Sequence, residues 1–108
     1  MGNYNSHCFY FLDIATDALE ETPENYVLED LSTKVSDCAM YLGIELGLTR
    51  ETIEEILFQN EKNIFIRNLG VMKKWKKSRK NAATILVLMK AFQWVDGKGL
   101  AFLRKQYG

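Results

Sequence analysis

One proline, one histidine and two cysteines are all that 108 residues supply of these types, and glycine stops at seven. So little glycine and proline excludes collagen-like and low-complexity chains. Cys8 and Cys38 close one disulfide at most and fall short of the four ligands of a structural zinc site, so free thiols in a reducing compartment are the simpler expectation. The lone His7 stands beside Cys8 near the chain start, where nothing orients the pair for nucleophilic catalysis. Glycine-rich phosphate loops, paired carboxylates in an apolar setting and metal-ligand spacing are missing as well. The reading is of a non-enzyme without cofactor, metal or small-molecule substrate. The longest apolar run, Ile85 to Met89, is far short of the ~18 residues of a membrane span. No cationic stretch followed by an apolar one marks a secretory signal. A soluble, intracellular, cytoplasmic protein is expected, with nuclear or membrane-attached pools left open.

What the chain has in abundance is apolar spacing of three and four, which predicts an all-helical domain with one hydrophobic core. Phe9 to Glu21 carries Phe11, Ile14, Ala15 and Ala18 on one stripe. Thr22, Pro23 and Glu24 have the form of an N-cap, a first-turn proline and an acid at the positive helix end, so a helix is expected from Pro23 to about Val35. Ser36 and Asp37 offer a cap for a short helix through Leu46, which Gly47 stops. Thr49 caps the next, with Ile53, Ile56 and Leu57 inward. Another runs from about Asn63 to Lys77 with Phe65, Leu69, Met72 and Trp75 on its buried stripe, where Gly70 costs about 1 kcal/mol relative to alanine. Asn81 is read as the cap of a helix from Ala82 to about Val95, apolar almost all round and therefore central. Asp96, Gly97 and Gly99 are read as a break before a last helix, Leu100 to Tyr107. Trp94 lies off the main stripe, and packing under the N-terminal segment is preferred over an exposed interface role.

Charge is sorted along the chain. Residues 1–61 hold thirteen acids against Lys34 and Arg50, whereas residues 62–108 hold twelve bases against Asp96, so a formal net charge of zero conceals −11 and +11. Six bases fall within eight residues: Lys73, Lys74, Lys76, Lys77, Arg79 and Lys80. Separation of this kind yields a dipolar surface on which opposed patches pair between molecules, although a charge run is more often a solvated helix face.

Three stretches, in order and at the right separations, resemble the death domain family. Leu42, Gly43, Leu46, Gly47 and Leu48 look like the family's L-A-x-x-L-G-L on its second helix, with Ile53 and Ile56 following on its third. Leu69, Met72 and Trp75 resemble a fourth helix ending in tryptophan. Ala83-Thr84-Ile85 with Leu88 to Phe92 is similar to the A-T-v-x-x-L-x-x-A-L of the fifth. Trp75 with Ala83-Thr84 favours the death domain over the death effector and caspase recruitment classes, which share the fold. The match runs from Pro23 to about Tyr107, roughly four fifths of the chain. It implies a six-helix antiparallel bundle of death-domain type over residues 22–108, preceded by an N-terminal extension, 1–21, with an extra helix. Ala39 stands where many members place a large aromatic, so volume is expected to be unfilled there and supplied by Phe9, Tyr10 and Phe11.

The resemblance also implies a non-catalytic adaptor making homotypic contacts, with another death-domain protein or with itself, in apoptotic or innate immune signalling. In the family one frequent contact sets a basic patch at the end of the fourth helix against acids on another subunit. Lys73, Lys74, Lys76, Lys77, Arg79 and Lys80 occupy that region, and Glu45, Glu51, Glu54 and Glu55 offer the counter-surface. The alternative is that the basic segment binds nucleic acid or anionic lipid, or is read as a nuclear import signal. Against nucleic acid, Trp75 fits a core stripe better than a stacking role, and the isoelectric point is near neutral. Met1 to Ser6 matches the myristoylation pattern at Gly2, with Cys8 as a candidate second acylation point, so membrane attachment enters only through acylation. A match this short arises readily by accident, and that reading is preferred.

Overall fold

Spacing of three and four produces helices. A computed structural model of the chain describes residues 16–108, and among these there is no strand. The helices are α1 (Thr16–Leu19), α2 (Asn25–Ser32), α3 (Ala39–Glu45), α4 (Arg50–Gln59), α5 (Ile64–Arg79), α6 (Ile85–Val95) and α7 (Gly97–Tyr107), with a 3-10 turn at Lys80–Ala82 between α5 and α6. They form a bundle in which α3 packs on α4, α5 and α6, while α2 packs on α5 and α7. Among the described residues no helix is long and apolar enough to cross a membrane. Phe9, Tyr10 and Phe11, with most of the helix expected over 9–21, lie outside the described residues.

Several helix starts differ from the sequence expectation, each because the expected cap is engaged elsewhere. Thr22 does not cap α2. Its hydroxyl points to the carbonyl of Lys80, and Glu24 occupies the N-cap position without a side-chain bond. Asp37 does not cap α3, because its carboxylate pairs with Arg67 at 2.6 Å. Asn81 falls inside the 3-10 turn, and Thr84 caps α6 by accepting from the Val87 N–H. The first N–H of that helix, at Ile85, donates to the carbonyl of Glu21 at 2.8 Å, so the segment after α1 is tied to the start of α6. Thr49 and Asn63 cap α4 and α5 as anticipated, accepting from Thr52 N–H and Ile66 N–H. Gly47 ends the turn after α3 at φ +83°, the left-handed region that other residues resist.

The break expected at Gly97 and Gly99 shrinks to Asp96 alone, whose carboxylate accepts from Lys98 N–H and starts α7 at Gly97. Gly99 is required by packing. A Cβ there would run into the Phe92 ring, so the missing side chain is what lets α7 close on α6.

The core joins Val27, Leu28 and Leu31 of α2, Leu42 of α3, Met72 and Trp75 of α5, Ile85, Leu88, Met89 and Phe92 of α6, and Leu103 of α7. Each such side chain contributes roughly 1.5–3 kcal/mol on leaving water. Two assignments change. Phe65 is 37% exposed, and the buried stripe of α5 runs Asn68, Val71, Met72, Trp75 instead. Helix α6 is not covered all round: Val87, Lys90 and Trp94 form an outward strip, and Trp94 is 76% exposed rather than buried. Their spacing sets them on the side of the helix opposite Ile85, Leu88, Met89 and Phe92.

Asn68 and Ser32 are the buried polar residues among those described. Asn68 Oδ1 accepts from the Cys38 N–H at 3.2 Å and its Nδ2 donates to the Ser36 carbonyl at 2.9 Å, so one fully buried amide closes the loop between α2 and α3.

Candidate docking surfaces

Helix α5 carries the core on one face and the basic segment on the other, since residues three and four apart share a face. Lys73, Lys76, Lys77 and Lys80 fall at i, i+3, i+4 and i+7. With Asn25, at the start of α2, they line one groove of about 380 Å³ that contains no acidic residue. Asn25 Oδ1 accepts from Lys76 Nζ at 3.0 Å and holds that ammonium at the groove wall. Lys80 ends α5 with φ +52°, the one described non-glycine residue in the left-handed half of backbone space, a conformation that costs about 1–3 kcal/mol.

The other two bases of the segment sit differently. Lys74 is exposed and does not line the groove. Arg79 turns toward α3 and donates from Nη2 to the Gly47 carbonyl at 2.8 Å, so it fastens the end of α5 to the α3–α4 turn. Among the described residues none of the six bases forms an ion pair within the chain.

The acids occupy α3 and α4. Glu45 is the last residue of α3, and Glu51, Glu54 and Glu55 lie on the exposed side of α4, opposite the buried Ile53. Glu51, Glu54 and Glu55 also sit at i, i+3 and i+4, and the stripe ends at i+7 in Phe58, which is 79% exposed. Sequence reasoning had not picked out Phe58 or Asn25. The signal for Phe58 was its place on the acidic stripe rather than on the Ile53 stripe. Asn25 carried none, because it joins the lysines only in space.

A second groove, about 520 Å³, lies across the start of α2 from the lysines and is lined by Glu20, Glu21, Thr22, Glu24, Asn81, Ile85 and Tyr107. Burial first, then Tyr26, Glu24 and Glu21, pushes the Tyr107 hydroxyl up to about 12. The beginning of α2 thus divides a cationic groove from an anionic one.

Ala39 is buried at the edge of a solvent-open groove of about 370 Å³ that Met40, Tyr41 and Leu57 also line, a surface opening and not a void in the core. Whether Phe9, Tyr10 and Phe11 occupy it concerns residues outside the description, as do Gly2 and Cys8. Cys38 lines the same groove but is itself buried. Burial, then Asp96 and Asp37, raises its thiol to about 11, which keeps it protonated near neutrality and a poor nucleophile. Among the described residues no three His, Cys, Asp or Glu side chains gather as metal ligands. Comparison with known proteins returns no matching family model and no matching curated sequence.

Proposed function

We propose that this domain is a non-catalytic protein-protein interaction module of death-domain type, a six-helix bundle behind an N-terminal helical extension, which docks onto a second copy or another such domain. The sequence resemblance implies a role in apoptotic or innate immune signal transduction. One observation carries the docking reading. The cationic stripe Lys73, Lys76, Lys77, Lys80 and the anionic stripe Glu51, Glu54, Glu55 repeat at the same helical spacing, and among the described residues neither is neutralised by an ion pair. A concave basic groove on one molecule matches a convex acidic helix on the next, a head-to-tail contact that extends into chains or helices of subunits. Phe58 at the end of the acidic stripe supplies the apolar anchor that charge alone lacks.

Each exposed pair contributes only ~0–1 kcal/mol, so the contact needs several together and weakens with salt. Static light scattering of the full chain is the direct test. Association is expected at low salt and a monomer at high salt. Reversal of Lys73, Lys74 and Lys77 to glutamate should abolish association with unchanged helical content. Reversal of Glu51, Glu54 and Glu55 to lysine on a second chain should restore pairing with that variant. Association that ignores both salt and the triple reversal overturns the reading.

A further inference from the structure

We propose that the groove between α5 and the start of α2 is also a binding site for a compact polyphosphate, of the inositol polyphosphate class, and that such a ligand competes with docking. The binding claim stands without the docking reading; the competition rests on it. Lys73, Lys76, Lys77 and Lys80 line one concavity with Asn25, and no acid is among its lining. Its volume of about 380 Å³ falls within the roughly 300–1,000 Å³ of small-molecule sites.

The side-chain chemistry narrows the ligand. All four cations are lysines. Arginine presents a planar fork that grips one carboxylate or phosphate edge, whereas an ammonium is a point charge that serves oxygens in any direction, as a ring of phosphates requires. Among the described residues none of these four lysines forms an ion pair, so their charge suits a ligand carrying several negative charges at high density. Acidic side chains a turn apart on a helix have Cβ atoms ~5–6 Å apart and carry one charge each, a lower charge density than a ring of phosphates. Single-stranded nucleic acid is the rival polyanion, and it relies on aromatic faces for stacking. The tryptophan of this segment, Trp75, is 1% exposed and belongs to the core, and no aromatic side chain lines the groove. The segment therefore has the charge of a nucleic-acid site without its stacking platform.

Phosphate clusters of this kind reach a protein as free inositol polyphosphates or as lipid headgroups, and two arms separate the sources. Calorimetric titration of the full chain with inositol hexakisphosphate is the first. The second is co-sedimentation with phosphatidylcholine vesicles carrying phosphatidylinositol bisphosphate, against phosphatidylserine vesicles of equal charge. Saturable binding in either arm supports the site and names its source. Lys73→Glu with Lys77→Glu should weaken binding by at least about tenfold, while Lys74→Glu and Lys90→Glu, outside the groove, should cost less than about threefold. Lys73→Gln with Lys77→Gln, checked for helical content, keeps the test valid should charge reversal disturb folding. Three results would overturn the proposal: no binding in either arm, equal losses for Lys73 and Lys74 variants, or tighter binding of a random-sequence DNA strand of matched charge. Hexakisphosphate added during light scattering should dissolve the association. Binding without dissolution sinks the competition alone, and salt-sensitive association without binding sinks the site while leaving docking intact.

Discussion

The two faces of helix α5 are built on opposite principles. The inner face, Asn68, Val71, Met72 and Trp75, is closed to solvent and held by shape and by one amide whose hydrogen bonds go to the backbone at Ser36 and Cys38. The outer face, Lys73, Lys76, Lys77 and Lys80, is held by little beyond the Lys76–Asn25 bond and repels itself. A single helix thus carries stability on one side and an unspent electrostatic potential on the other. Changes to the inner face should lower stability, and through it every function. Changes to the outer face should alter association and leave stability nearly intact.

The sharpest way to break this division is at Trp75. Replacing it with alanine empties the largest fully buried side chain and should cost about 3–5 kcal/mol in urea unfolding, a large share of the ~5–15 kcal/mol typical of a domain. A loss under about 1 kcal/mol would mean that the inner face is not where stability resides. Asn68→Ala comes next. It leaves the Cys38 N–H and the Ser36 carbonyl without their partner, at about 1–3 kcal/mol. Retained stability in that variant would show that the α2–α3 loop relaxes without the amide.

Why the sequence disclosed some of this and hid the rest follows from the same two faces. The lysines and glutamates were legible because a charge at i, i+3, i+4 needs no tertiary partner to be counted. The apolar stripes of α2 and α3 were legible for the same reason, whereas α6, read as apolar almost all round, hid its outward strip. Asn68 was not: a polar residue on an apolar stripe reads as surface until the backbone groups it satisfies are seen, and they lie thirty or more positions away. Helix starts at Asp37 and Asn81 failed because a short polar side chain announces a cap equally well when it is used elsewhere, here on Arg67 and inside a 3-10 turn. Gly97 and Gly99 read as a break because glycine marks stops as well as close approaches, and only the Phe92 ring distinguishes them. The groove at Asn25 is a meeting of two helices far apart in sequence, which no local pattern encodes.

Cys38 sharpens the comparison through pH. Its thiol, beside Asn68, is raised from 9.0 to about 11 by burial, with Asp96 and Asp37 adding to the rise. Above pH 9 the unfolded chain releases this proton while the folded chain keeps it, so the unfolded state binds fewer protons and stability falls with rising pH. The contribution is whole below pH 9 and is lost as pH climbs through about 11. Its size is about 1–2 kcal/mol for a thiol that retains some contact with solvent. Tyr107, pushed up to about 12, adds a loss of the same sign beginning near its ordinary value of 10.0. Comparison of wild type with Cys38→Ala in urea melts at pH 8 and pH 10.5 isolates the thiol: the variant should lose less stability across the interval. Equal losses would assign the alkaline slope to Tyr107 instead.

The smallest effect is expected at Trp94, and it tests the division where it is least intuitive, because the residue is as large and apolar as Trp75 yet 76% exposed. On the outward strip of α6 with Val87 and Lys90 it has little to lose, so Trp94→Ala should shift stability by no more than about 0.5 kcal/mol. Quenching separates the two rings directly. Acrylamide should extinguish Trp94 readily, and in Trp94→Phe the remaining Trp75 emission should be shielded. A stability loss above about 2 kcal/mol would mean that something covers the ring in solution, since burying a large side chain is worth that much. Dilution then decides what. A midpoint that falls with protein concentration assigns the cover to a second copy, because mass action makes such stability concentration-dependent. A midpoint that does not move assigns it to the chain's own residues and redraws the outer face of α6 as part of the core.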